Sequence, residues 1–187
     1  MTNVRDAIQC FQETQAEVYR AQPHRVVRDA NAARRSSKDY AGRWFFELLQ
    51  NCEDAYASEA VVRVTDSAVY VADDGMGFHP AAVESISGTD FSEKPVGTIG
   101  RKGVGFKAVY EITLAPQLFT HDGEGIEFDQ DRATEWLKAN GVESVEGIQP
   151  YQWIPFFVSR EEAETQDAVL RKLQDYSTVV KLPFRSP

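Results

Sequence analysis

Glu47, Asn51 and Asp54 are the first residues of this chain whose types and spacing could do chemistry. In a helix that turns about 100° per residue they fall within roughly 60° of one another. They form a polar stripe beside Trp44, Leu48 and Ala55. An Asn51 carboxamide oxygen can ligate Mg2+, which takes hard oxygen donors and keeps several waters. A Glu47 carboxylate can accept a proton from an attacking water. The solvent face of any amphipathic helix has the same pattern, and that reading stays open on these residues alone.

A second constellation is Asp73-Asp74-Gly75-Met76-Gly77, which closes the run Val69-Tyr-Val-Ala. A carboxylate at a strand end can accept a hydrogen bond from an exocyclic amine such as adenine N6. Glycines at alternate positions let the backbone turn tightly and approach a flat base. The alternatives are an ordinary Asp-Gly turn and a calcium loop, although the latter needs more alternate oxygen ligands than this stretch supplies.

The third is the segment from Gly97 to Lys107, GTIGRKGVGFK. Glycines ahead of a helix let consecutive backbone N–H groups point at one anion, and the helix dipole adds to the attraction. A flexible surface loop is the competing reading. No Lys-Ser/Thr pair follows the glycines as a Walker loop requires, and no strand leads directly into Gly100 as a dinucleotide fold requires. The formal net charge of −9 makes this arrangement informative. An acidic domain repels phosphate backbones in general, so direct nucleic-acid binding is not expected. An anionic ligand must be held by amides, a metal ion or a few placed cations. Lys94, Arg101, Lys102 and Lys107 are the candidates. Lys102 lies within the glycine segment, and Lys94 and Lys107 read better as solvated side chains.

Elements that could position these groups follow from hydrophobic period. Val4, Ile8, Phe11 and Val18 predict an amphipathic helix over residues 3–20, stopped before Pro23. The basic stretch with Arg25, Arg28, Arg34, Arg35 and Lys38 reads as a solvated helix face. Residues 40–56 predict a helix, with Trp44, Phe45, Leu48, Leu49, Cys52 and Ala55 on its apolar side. Residues 60–65 and 68–72 predict a hairpin around Asp66-Ser67. Beyond it, a short helix is predicted at 80–85, a loop at 88–100, helix at 106–109, strands at 114–120 and 125–129, and a helix at 132–139 closed by Asn140-Gly141. Residues 142–158 read as irregular, 161–175 as helix and 178–183 as a final strand. Trp153, Phe156 and Phe157 read as a core cluster rather than a partner surface, and His24, His79 and His121 as surface or packing residues.

At 187 residues with 42% hydrophobic and 26% charged side chains, the chain suits one domain with a real core. The expected fold is an α/β (α+β) two-layer sandwich, a mixed, mainly antiparallel sheet covered on one face by helices. Two isolated cysteines, Cys10 and Cys52, argue against a zinc or disulfide scaffold and for a cytoplasmic setting. No signal-peptide pattern opens the sequence, and no apolar run is long enough to span a bilayer.

Taken together, the three constellations in this order and spacing resemble the GHKL ATPases, the Bergerat-fold superfamily of gyrase, ninety-kilodalton heat-shock chaperones, MutL and histidine kinases. The run from Tyr176 to Phe184, YSTVVKLPF, looks like that superfamily's late strand. The likeness extends from about Arg28 to Phe184. Within it, the run from Asp39 to Ala55, DYAGRWFFELLQNCEDA, and the run from Ile99 to Tyr110, IGRKGVGFKAVY, are most similar to sacsin-like ATP-binding domains.

The resemblance implies Mg-ATP as ligand, with slow hydrolysis to ADP and phosphate driving a conformational switch in a larger protein. It implies Glu47 as the general base and Asn51 as the Mg2+ ligand. Asp73 would bind adenine N6, backed by Thr178 through a water, with Gly75, Met76 and Gly77 around the base and Asp54 nearer the base and ribose. Amides of Gly100, Arg101, Lys102, Gly103, Val104 and Gly105, leading into Phe106, would wrap the phosphates, and residues 86–99 would form a lid. Relatives take a further lysine from a following domain, so downstream domains are expected partners. Residues 1–38 would form an N-terminal helical arm. That arm either docks across an ATP-dependent homodimer or packs on its own domain. Two other functions remain: a nucleotide sensor or scaffold without turnover, and phosphotransfer of the histidine-kinase type. Glu47, and the lack of a visible phospho-acceptor helix, count against the second.

Overall fold

The computed structural model describes residues 3–39, 42–87, 105–142 and 150–185. Helix α1 (Val4–Ala21) starts where the Asn3 side chain accepts from the Asp6 amide, satisfying one orphan donor of the first turn. Val4 and Ile8 are buried in the main core, and Tyr19 in a second cluster. These side chains of the arm pack on their own domain. Helix α2 (His24–Asp39) buries Val26, Ala30 and Ala33 and leaves Arg28, Arg34, Arg35 and Lys38 exposed, as a solvated basic face should.

Helix α3 (Trp44–Asp54) is shorter than the periodicity predicts. Gly42 has a φ of +76°, which a helix cannot use, and its amide donates to Glu111 Oε2 at 2.6 Å. Residues 40 and 41 lie outside the described residues. Leu48 and Cys52 are buried beneath α3. Burying one leucine stabilises by roughly 1.5–3 kcal/mol, enough to settle which side of the helix faces in. Asn51 and Asp54 of the polar stripe are consequently turned outward, and Glu47 is partly buried.

The hairpin β1 (Ala60–Val64) and β2 (Ala68–Asp73) forms as expected, with the Thr65 hydroxyl accepting from the Ser67 and Ala68 amides in the turn. Helix α4 (Ala82–Ser87) follows. Residues Gly105–Glu111 form a 3-10 segment, tighter than the helix the sequence suggests. Strands β3 (Gln117–Thr120) and β4 (Glu124–Glu127) lead to α5 (Gln130–Ala139), capped by Asp129 and ended at Gly141, φ +68°. Strand β3 starts later than predicted, after Pro116, which has no N–H for the ladder.

Two local expectations are corrected. Residues 156–159 are not irregular: they form β5 (Phe156–Ser159), an edge strand paired with β4. The expected helix over 161–175 is two helices, α6 (Arg160–Gln166) and α7 (Ala168–Arg171). Asp167 breaks it. Its backbone is extended, and its side chain accepts from the Val169 and Leu170 amides to start α7. The same carboxylate accepts from Tyr70 Oη and Lys181 Nζ, each at 2.8 Å, pinning the break to the sheet.

Strand β6 (Thr178–Pro183) enters the middle of a six-stranded sheet ordered β1-β2-β6-β3-β4-β5. Every pairing is antiparallel. The α+β two-layer architecture is thus present, with the main helical layer on one face. Val69, Val71, Leu118, Val180 and Leu182 point into that layer, against Ile8, Leu48, Val83, Phe106 and Val109. The alternate residues Ala68, Tyr70, Ala72, Phe119 and Val179 face the other way, and Leu170 and Leu173 cover them. Among the described residues no helix is long and apolar enough to cross a membrane.

Candidate functional site

Asp73 is the last residue of β2, opposite Thr178 on β6, and Thr178 in turn lies opposite Thr120 on β3. Strand alternation places Asp73 on the same face as Val69 and Val71, towards α3. The carboxylate is buried at 7% exposure. Burial raises its pKa above the ordinary carboxylate value; the hydrogen bond from the Gly75 amide and the neighbouring Cys52 thiol oppose the shift, and the Asp74 charge adds to it.

Neighbouring carboxylates have divided their work. Asp74 Oδ1 accepts from the Ser58 and Glu59 amides at 2.8 Å each, and Oδ2 accepts from the Ser58 hydroxyl at 2.5 Å. These bonds hold its pKa below the usual carboxylate range. Asp74 thus ties the loop to Ser58 and Glu59, while Asp73 faces α3 and its Oδ1 accepts from the Gly75 amide at 3.0 Å within the turn.

The loop after Asp73 is tied to the C-terminal end of α3. Met76 N donates to Ala55 O at 2.9 Å. A Cβ at position 75 would lie 2.5 Å from Ala55 O and 2.8 Å from Ala55 Cβ, so only glycine fits. Gly77 has a φ of +77°, which a side chain would strain. Met76 is 71% exposed. Cys52 was not among the expected site residues, because it reads simply as an apolar position of α3. Its thiol lies by Asp73 and donates to Leu48 O at 3.2 Å. Burial, then the Asp73 charge, pushes its pKa up to about 11.

The other end of α3 carries Glu47, whose side chain is 14% exposed. Oε1 pairs with Arg43 Nη2 at 3.1 Å, one turn earlier. Oε2 lies against Gly105, where a Cβ would come within 2.2 Å of it. Glu47 and Ala55 are eight residues apart, about 12 Å along the helix axis. Asn51 and Asp54 lie between them, both exposed. One helix thus joins the Asp73 loop to the start of the 3-10 segment.

Among the described residues no group of three or more His, Cys, Asp or Glu side chains could hold a metal ion alone. A single carboxamide at Asn51, one turn from a carboxylate, suits Mg2+, an ion that takes most of its oxygens from phosphate and water.

Phe106 is in the core at 4% exposure, its ring 6.3 Å from that of Phe128, so only its backbone can face a ligand. The expectation of a solvated Lys107 is wrong. The side chain is 4% exposed, and Nζ donates to Ile86 O at 2.6 Å and Gln152 O at 2.5 Å. The Phe128 ring lies 5.4 Å away. A buried ammonium must be paired or hydrogen-bonded, and these carbonyls do that for Lys107. Gly100, Arg101, Lys102, Gly103, Val104, Lys94 and residues 88–99 of the expected lid lie outside the described residues. Trp153 and Phe156 are core residues as expected, at 5% and 7% exposure, and His24, His79 and His121 are not buried.

No family model matches this chain, and no curated protein matches it.

Proposed function

We propose that this domain binds Mg-ATP and hydrolyses it slowly to ADP and phosphate, serving as an ATP-driven conformational switch in a larger protein. One observation carries the reading. Helix α3 abuts two glycine-bearing segments at its two ends, with a buried carboxylate at one and a walled-in carboxylate at the other. Asp73 with Gly75 and Gly77 has the properties a purine site needs: an acceptor in a dry setting and a backbone free of side chains. Glu47 beside Gly105 has those of a general base held near backbone amides.

In this reading Asp73 accepts from adenine N6, and Thr178, level with it on β6, supports the base through a water. The purine stacks over the Gly75–Gly77 backbone, with Met76 at the rim. Glu47 orients the attacking water and takes its proton. Asn51 holds Mg2+, which would screen the charge on the phosphates. An acidic chain of net charge −9 gains selectivity from this plan, since the polyanion is met by local donors only.

Calorimetric titration of the chain with Mg-ATP, ADP and GTP tests it. ATP and ADP are expected to bind at least about tenfold more tightly than GTP, whose O6 offers an acceptor where Asp73 needs a donor. Equal affinity for all three removes Asp73 from base recognition. No binding of any of them ends the nucleotide reading.

A further inference from the structure

Arg43 immediately precedes α3 and lies one helical turn ahead of Glu47. The two oxygens of the Glu47 carboxylate face different neighbours: Oε1 meets the Arg43 guanidinium at 3.1 Å, and Oε2 abuts Gly105. The Arg43 side chain is 62% exposed and that of Glu47 is 14% exposed. An ion pair with one partner this exposed contributes little to stability. Fold stability therefore gives little reason for this contact. What the pair does supply is direction. Glu47 has three side-chain torsions, and a charge-assisted bond to one oxygen fixes where the other points.

We propose that Arg43 is a positioning residue for Glu47. It holds Oε1 so that Oε2 is presented, beside the Gly105 backbone, to the water that attacks the terminal phosphate. The lone pair that accepts the water's proton is then on Oε2, and the ion pair through Oε1 stays intact during the transfer. Placing the base on one oxygen removes the rotational search that would otherwise add to the barrier. The assignment rests on the ATP reading above. It adds a residue to which that reading assigned no role.

The test compares the wild-type chain with Arg43→Ala and Arg43→Lys, measuring ATP affinity by calorimetry, and kcat and KM by phosphate release. Arg43→Ala is expected to lower kcat at least about tenfold while Kd and KM stay within about threefold, the pattern of an interaction that matters in the transition state. Arg43→Lys, which keeps the charge but loses the fork, is expected to fall between the two. Thermal melting of both variants should match wild type within a few degrees.

An unchanged or raised kcat in Arg43→Ala overturns the proposal and leaves an ordinary surface pair. Kd and KM rising in step with the loss of kcat also overturns it, because Arg43 would then be a ligand of the nucleotide. A lysine variant as slow as the alanine variant removes the charge from the account and overturns it as well. Wild-type chain that binds ATP without hydrolysing it overturns both this proposal and the base role of Glu47. Wild-type chain that fails to bind ATP strikes the nucleotide reading instead, so the two failures are distinguishable.

Discussion

Gly105 packs its bare Cα against the carboxylate of Glu47: a Cβ there would come within 2.2 Å of Oε2 and 3.1 Å of Cδ. This contact joins α3 to the 3-10 segment at the point where the chain leaves the glycine-rich stretch. The atom in the way is the far end of a flexible side chain, so a substitution at 105 displaces chemistry before it displaces the fold.

Gly105→Ala is accordingly expected to swing the Glu47 carboxylate away and cut hydrolysis by about 10²-fold or more, as misplacement of a catalytic group by an ångström can. Nucleotide affinity should stay within a few-fold, and the melting temperature within a few degrees. Phosphate release and thermal melting measured side by side check this. A variant as active as wild type would show that Glu47 is not held against this glycine during turnover.

Asp73→Asn should separate stability from binding. Burial raises the folded pKa of Asp73 above its unfolded value. The proton is thus held more tightly in the folded state. The stability this contributes is complete below the unfolded pKa and is lost as pH rises through the folded pKa. At neutral pH the buried charge is a net cost, as strained functional sites commonly are. The asparagine variant should therefore melt at or above the wild-type temperature at pH 7.5, with any gain shrinking on acidification. Its affinity for ADP should fall at least about tenfold, since one acceptor becomes a donor facing an amine. Melting curves between pH 4 and 8 with an ADP titration measure both. A clear loss of melting temperature at neutral pH would mean that the hydrogen bond from Gly75 outweighs the cost of burial.

Lys107→Ala should behave in the opposite way and damage the fold. It strips the Ile86 and Gln152 carbonyls of their ammonium donor and leaves a hole beside Phe128. Each unsatisfied buried acceptor costs about 1–3 kcal/mol. The combined loss should lower the denaturant midpoint well beyond that of a surface lysine control such as Lys172→Ala, an exposed position. Equal midpoints would show that Lys107 is not needed where it lies.

Much of this architecture is legible from local pattern. The hairpin of residues 60–73, the strand Thr178–Pro183 and helix α1 come from apolar spacing that matches one secondary-structure period, and each forms where that spacing places it. Asp73, Gly75 and Gly77 also stand out by type and spacing, a pattern they share with an ordinary Asp-Gly turn. Residue type and spacing decide such features within a few positions of chain. Tertiary structure alone decided the rest. Strand β5 exists because β4 offers it an edge, and Asp167 breaks a helix because Tyr70 and Lys181 hold its carboxylate from strands far away in sequence. Lys107 is buried because two distant carbonyls converge on it, and Glu47 meets Gly105 across a long stretch of intervening chain. These outcomes depend on which surfaces the sheet brings together, and a one-dimensional period carries no record of that.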